Sequence, residues 1–298
     1  MRSRRTWVDV LGPLFGIAAA ALTVYALVHL LWIEPFYRGD SYGTLIQPER
    51  DFRTAAGWQS REGTEEIEGS FRTLEIRNIS GPILVEGWDR GYVQVHYIKR
   101  ARSEVFLEQF EIRIEPQGGT LSVRPIYKKI PGSPFGSVSF DVKIPSSVER
   151  IRANNISGTI DVENVPAGIA QELETVSGRI RSERSGELAA SSVSGSIDFA
   201  FRGKNLDLHS TSGRIEGRIL GLEPGGSVQI DTISGGVRLE VFPALDATLK
   251  LGSVSGSISC DFPVQITEQK RNRLEGSVGE GTVPFEVKTV SGRISLDR

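Results

Sequence analysis

Seven serines, each followed by glycine, recur through the second half of a 298-residue sequence: Ser157, Ser177, Ser194, Ser212, Ser234, Ser255 and Ser291. A serine becomes a nucleophile when a nearby base takes its proton and a sharp turn presents its hydroxyl. No Gly-x-Ser-x-Gly elbow surrounds any of these serines. The three histidines are His29, inside a long apolar run, His96, in an alternating segment, and His209, beside one of the serines. Nothing in the spacing pairs a histidine with a hydroxyl. The serines therefore read as small outward side chains packed copy on copy. Cys260 is the only cysteine, which excludes a disulfide within the chain and a cysteine-based zinc site. The stretch FRGKNL around Gly203 and Lys204 lacks the first glycine and the final Ser/Thr of a phosphate loop. The expectation is no catalytic residue, no cofactor-binding residue and no metal ligand.

What positions these serines is a longer frame. Leu249-x-Leu251-x-Ser253-Val254-Ser255-Gly256-x-Ile258 repeats as Phe285-x-Val287-x-Thr289-Val290-Ser291-Gly292-x-Ile294 and as Val228-x-Ile230-x-Thr232-Ile233-Ser234-Gly235-x-Val237. An early copy runs Leu74-x-Ile76-x-Asn78-Ile79-Ser80-Gly81-x-Ile83. The structural glycines are Gly81, Gly158, Gly178, Gly195, Gly213, Gly235, Gly256 and Gly292. From Gly158 onward the gaps are 20, 17, 18, 22, 21 and 36 residues. The last gap is about two periods, and a degenerate copy, LEGSV at 274–278, falls within it.

A period near 20 signals a solenoid. Apolar residues alternate on one parity before the Ser/Thr/Asn and on the other after it. A continuous strand cannot do that without flipping its buried face, so the backbone must bend there. Ser, Thr and Asn suit a bend, because their side chains can bond freed backbone groups. The frame predicts that the following Val or Ile, the Gly and the next Ile face inward. Each repeat then supplies two short strands and a corner, and stacked repeats bury one continuous core. The fold class expected is all-β: a β-solenoid of about 20-residue rungs, preceded by a smaller β region and an N-terminal transmembrane helix.

The residue after each repeated glycine has the opposite parity to the core. There the chain places Thr159, Arg179, Ser196, Arg214, Gly236, Ser257 and Arg293. Arg179, Arg214 and Arg293 form a candidate surface binding column. Arginines interleaved with small residues suit an anionic polymer, and they also keep like charges off adjacent strands.

Residues 66–146 carry their own alternating strands, including YVQVHYI, FEIRI, TLSVR and SVSFDVKIP. A β-sandwich is an alternative for this region. Gly118-Gly119 marks a hairpin, and Ser103 can cap a short helix through SEVFLEQF carrying Val105, Phe106 and Phe110.

Upstream, Val10 to Ile33 is 24 residues without a charge. As a helix it is roughly 36 Å long, enough to span a bilayer. Arg2, Arg4 and Arg5 precede it, and the next fifteen residues hold only Arg38 as a basic residue. The positive-inside bias places the N-terminus in the cytoplasm and everything after Ile33 outside the cytoplasmic membrane. A cleaved signal peptide is the competing reading, although the apolar run continues well past Ala18–Ala21. The expected organisation is a basic stub and signal-anchor at 1–33, a juxtamembrane linker at 34–65, a β region at 66–146 and the solenoid at 147–298. Net charge is −2, so no strong field favours nucleic acid.

The L-x-L-x-T-V-S-G-x-I frame, its tandem repetition and the strand ending at Ile144-Pro145 resemble a bacterial putative-adhesin family, a domain of unknown function, over about residues 70–298. The resemblance implies a β-solenoid-like fold, often on a membrane anchor, linked to the cell envelope. It implies no catalytic residues. Together these readings predict a membrane-anchored, non-catalytic module for binding, adhesion or envelope scaffolding, with an envelope or surface polymer or protein as partner. An envelope-stress sensor and a β-solenoid polysaccharide lyase or hydrolase are the alternatives.

Overall fold

The computed structural model describes residues 58–127, 136–241 and 245–298. The expected membrane segment at 1–33 and most of the expected linker lie outside the described residues. Among the described residues no helix is long and apolar enough to cross a membrane.

The described chain is almost wholly strand, and its twenty strands form one hydrogen-bonded sheet. Each copy of the frame makes one rung of two strands. The strand before the corner joins one parallel ladder and the strand after it joins a second. The apolar sides of both ladders share one core, in which Leu74, Ile151, Leu173, Leu188 and Leu208 of the first meet Ile83, Ile160, Ile180, Ile197 and Ile215 of the second. Long strands such as Ile180–Ser194 and Ile197–Ser212 run from the second ladder of one rung into the first ladder of the next. A solenoid is thus the product of one alternating pattern repeated at a constant pitch.

Register makes the eight rungs countable. Ser80 pairs with Ser157, Ser157 with Ser177, Ser177 with Ser194, Ser194 with Ser212 and Ser212 with Ser234. The next partner of Ser234 is not Ser255 but Ser291, and Ser291 in turn pairs with Ser255. The rungs therefore stack in the order Gly81, Gly158, Gly178, Gly195, Gly213, Gly235, Gly292, Gly256. At about 4.8 Å per rung the stack is roughly 35–40 Å long.

The rung that comes last in the sequence is next to last in space. The 36-residue gap holds no rung: Gln265–Lys270 and Arg273–Val278 form an antiparallel hairpin that caps Ala247–Ser255. LEGSV at 274–278 lies within this hairpin, and the match to the frame is coincidental.

The region at 66–146 also differs from the expectation. Thr73–Ser80 and Ile83–Gly87 are the first full rung, in register with Arg150–Ser157 and Ile160–Glu163. The intervening chain builds the cap at this end. Thr120–Tyr127 and Phe110–Gln117 extend the first ladder, and Gly136–Ile144 and Val93–Ala101 extend the second, which Gln59–Ile67, from before the first rung, completes. Sheet thus runs on either side of the expected boundary at 146/147, the described strands of 66–146 join the two ladders rather than a sandwich, and strand begins at Gln59 within the expected linker. The hairpin at Gly118 and Gly119 is present, with both glycines at positive φ. The helix is present too, as Glu104–Glu108. Phe106 donates its N–H to the Ser103 hydroxyl at 3.4 Å. Leu107 is the residue the helix buries, Phe110 joins the same cluster from the start of the next strand, and Val105 points into solvent.

Candidate functional site

The corner of each rung is the feature that the sequence repeats, so its geometry defines the outward surface. Asn78, Asn155, Thr175, Ser192, Ser210, Thr232, Thr289 and Ser253 are all buried. They continue the inward parity of the strand before them, and the bend follows them. The Val or Ile expected to face inward turns partly outward instead. Ile79, Ile156, Val176, Val193, Ile233 and Val290 are half-buried, and Val254 is 53% exposed. An inward polar ladder was therefore missed from the sequence. Its signal was available, because each of these residues shares parity with an apolar residue two positions earlier and, except at Thr175, where Gln171 stands, with another four positions earlier.

The repeated glycines Gly81, Gly158, Gly178, Gly195, Gly213, Gly235, Gly256 and Gly292 form one column. Each N–H from Gly81 through Gly235 donates to the carbonyl of the serine on the following rung, at 3.0–3.1 Å. A Cβ on Gly178, Gly195, Gly213, Gly235, Gly292 or Gly256 would overlap the carbonyl oxygen of the column glycine on the preceding rung. The glycine is thus required by close backbone approach along the stack, and no side chain is missing from the apolar interior. The serines lie in register beside them, half-buried or exposed. Their carbonyls accept the ladder bonds from the glycines of the preceding rung, a backbone role that does not involve the hydroxyl.

The arginine column gains order from the inserted rung. Val237 donates to the Arg293 carbonyl and Ile215 to that of Gly236. The column therefore reads Thr159, Arg179, Ser196, Arg214, Gly236, Arg293, Ser257. Arginine and a small residue alternate strictly from Arg179 onward, with the arginines two rungs, or roughly 9.6 Å, apart. The Arg179 and Arg214 side chains are 65% and 68% exposed. Arg179 donates to the Ser196 hydroxyl at 3.2 Å and lies 3.4 Å from an Asp198 oxygen. Arg214 lies 3.6 Å from Glu216. Exposed pairs of this kind are worth at most about 1 kcal/mol, so a ligand anion can exchange into them. Next to the column a shallow depression of about 340 Å³ carries Arg181, Glu183, Asp198, Glu216, Arg218 and Arg238 on its walls. The face is mixed in sign, with arginines at a regular repeat.

The histidines stand apart from this face. His209 lies on the outer side of the first ladder, between two carboxylates. Its Nε2 is 2.9 Å from Asp207 and its Nδ1 is 3.8 Å from Asp231. The bond to Asp207 outweighs burial and, with the charge of Asp231, raises its pKa. The Asp231 oxygen also accepts from Gln229 at 2.9 Å. His96 meets the Thr64 hydroxyl at 2.9 Å. Burial pushes the Cys260 thiol up, away from the reactive thiolate. Among the described residues no group of three or more His, Cys, Asp or Glu is placed to hold a metal ion.

Two ladders around one core, with a repeated Ser-Gly corner, define a two-sided parallel β-solenoid with regular outward columns. The chain belongs to the Toastrack DUF4097 family, which matches residues 70–297, in agreement with the family resemblance of the repeat frame. No curated protein matches. Similar solved structures include a putative adhesin from Bacteroides fragilis, 12% identical over 81% of this chain and 98% of that one, TM-score 0.39. A putative cell adhesion protein from Clostridium sporogenes is 11% identical over 80% and 99%, TM-score 0.37. A putative lipid binding protein from Parabacteroides distasonis is 12% identical over 82% and 98%, TM-score 0.28.

Proposed function

We propose that this protein is a membrane-anchored, extracytoplasmic β-solenoid that binds an anionic polymer of the cell envelope or surface without chemical turnover. The observation that carries the reading is the alternation of Arg179, Arg214 and Arg293 with small residues at every second rung. A flexible polymer bearing carboxylates or phosphates meets a guanidinium roughly every 9.6 Å, and guanidinium forks suit both groups. The test is sedimentation of the full-length protein in detergent with polygalacturonate or a neutral dextran. The Arg179→Gln, Arg214→Gln, Arg293→Gln triple variant should bind polygalacturonate about tenfold more weakly or worse, which corresponds to about 1.4 kcal/mol over three exposed charges. Dextran binding should be negligible for both proteins. Equal polygalacturonate affinities for wild type and variant overturn the reading.

The uncharged segment at 10–33 and the arginines before it support anchoring with the solenoid outside. Alkaline phosphatase fused after Arg298 should then be active in a bacterial host. An inactive fusion, paired with an active cytoplasmic reporter at the same point, would remove the export claim.

A further inference from the structure

The inserted rung gives the solenoid a slot. In the chain, Val237–Val241 is followed by the strand Ala247–Ser255, yet their rungs pair not with each other but each with the Gly292 rung. The space between them is filled by residues 283–297, which arrive after the capping hairpin. Val283–Ser291 pairs with Val228–Ser234 on one side and with Ala247–Ser255 on the other. Ile294–Asp297 lies likewise between Val237–Glu240 and Ile258–Cys260. The inserted segment is thus held by backbone ladders on two sides. It also buries Val283, Phe285, Val287, Ile294 and Leu296 in the common core.

Its covalent connection to the hairpin is short. Four residues, Gly279 to Thr282, join it to Arg273–Val278, and Gly279 and Gly281 both hold positive φ. Asp246 fastens this turn, with the Thr248 hydroxyl donating to the Gly281 carbonyl at 2.9 Å beside it. Gly281 donates its N–H to Asp246 Oδ1 at 2.7 Å, and the Thr282 N–H donates to the same oxygen at 3.3 Å. The Thr282 hydroxyl donates to Oδ2 at 3.0 Å. Asp246 immediately precedes the strand that walls the slot, so the latch ties the donor's hinge to the acceptor's edge.

We propose that the slot between the Gly235 and Gly256 rungs is an interaction site for a second copy of this chain, filled by the partner copy's residues 283–297 in donor-rung exchange. The occupant follows from the register. The slot needs a segment that pairs in parallel on both sides and places apolar residues at 283, 285, 287, 294 and 296, glycine at 292 and a small polar residue at 289. A second copy supplies that segment residue for residue. Exchange remakes every contact that opening breaks, so only the hinge and the latch distinguish the exchanged form from the closed one. Two copies have one donor and one slot each, so reciprocal exchange closes as a dimer. The proposal does not depend on polymer binding or on membrane anchorage.

Ser259 and Ser295 are in register across the slot wall. Neighbouring strands place such residues about 4.8 Å apart, within the reach of a disulfide. The experiment uses the full chain in detergent with Cys260→Ser, Ser259→Cys and Ser295→Cys. Samples are unfolded in urea, refolded over a hundredfold range of protein concentration, oxidised, and resolved without reductant. The expected result is a dimer joined by a 259–295 disulfide between chains. Its fraction should rise with concentration and rise severalfold further with Asp246→Ala. In parallel, cysteine-free copies (Cys260→Ser) carrying two different affinity tags are refolded together, and each tag should retain the other. Disulfides confined within single chains at every concentration overturn the proposal. So do dimers that lack the 259–295 link, or tagged copies that never co-purify.

Discussion

Gly213→Val is expected to lower the urea midpoint of the protein by about 1 M or more, whereas Arg214→Ala leaves it nearly unchanged. The valine Cβ would occupy the position of the Gly195 carbonyl oxygen, and Gly213 holds φ at +149°. Relief requires moving the backbone of one rung away from its neighbour, and a strained φ adds to that. Together these cost about 3–5 kcal/mol, which at about 3 kcal/mol per molar urea gives the midpoint shift. The overlap lies at Cβ itself, so Gly213→Ala should be almost as damaging. That comparison separates the two geometries: a glycine facing a roomy apolar interior would tolerate alanine far better than valine. The loss should propagate, because the Gly195 and Gly235 rungs flank this one and solenoid stability is coupled between neighbours. Arg214 is exposed, and its replacement should stay within about 0.5 kcal/mol. A midpoint for Gly213→Ala equal to that of wild type would show that the column has room along its axis.

The same corner shows what the sequence exposes and what it hides. Alternation on either side of Ser-Gly is a local property, so strands, corner and solenoid class could all be read from Leu249 to Ile258 or from Phe285 to Ile294. Pairing is not local. Every rung carries the same frame, so nothing in the residues of the Gly292 rung distinguishes a place after Gly256 from a place before it. That single ambiguity also hid the strict alternation of Arg179, Arg214 and Arg293, which appears only when Arg293 follows Gly236 in space. The frame around Gly81 was legible, but its place in the stack beside Gly158 was obscured for a different reason. About 65 residues separate Gly87 from Ile151, and closing so long an excursion costs little more than closing a short one. The orientation of Val176 and its equivalents was ambiguous because a bend one residue earlier or later fits the same alternation. The burial of Thr175 and its equivalents resolves it.

Asn78→Ala should destabilise the protein by about 2–4 kcal/mol, while Thr232→Val at the matching position of a central rung should be neutral or stabilising by up to about 1 kcal/mol. The two residues hold the same place in the frame and are both fully buried. They differ in what they satisfy. The Asn78 amide donates to the Val138 carbonyl at 2.7 Å and to those of Gly81 and Ser80 at 3.1 and 3.3 Å, and its oxygen accepts the Ile79 N–H at 3.0 Å. Val138 belongs to the cap strand, so this side chain ties the first corner to the end of the solenoid. Alanine strips a donor from Val138 and an acceptor from Ile79, and buried groups left unpaired cost about 1–3 kcal/mol each. Gly81 keeps the Asn155 amide at 2.8 Å, which limits the loss. Thr232 presents a buried hydroxyl with no hydrogen-bond partner. Valine preserves its shape and removes that unpaired group, so the interior gains where the cap would lose. Urea unfolding of the three proteins under one condition measures both differences. A Thr232→Val variant that loses more than about 1 kcal/mol would mean that the central hydroxyls do bond the corner carbonyls. The polar ladder would then clamp every rung, as Asn78 clamps the first.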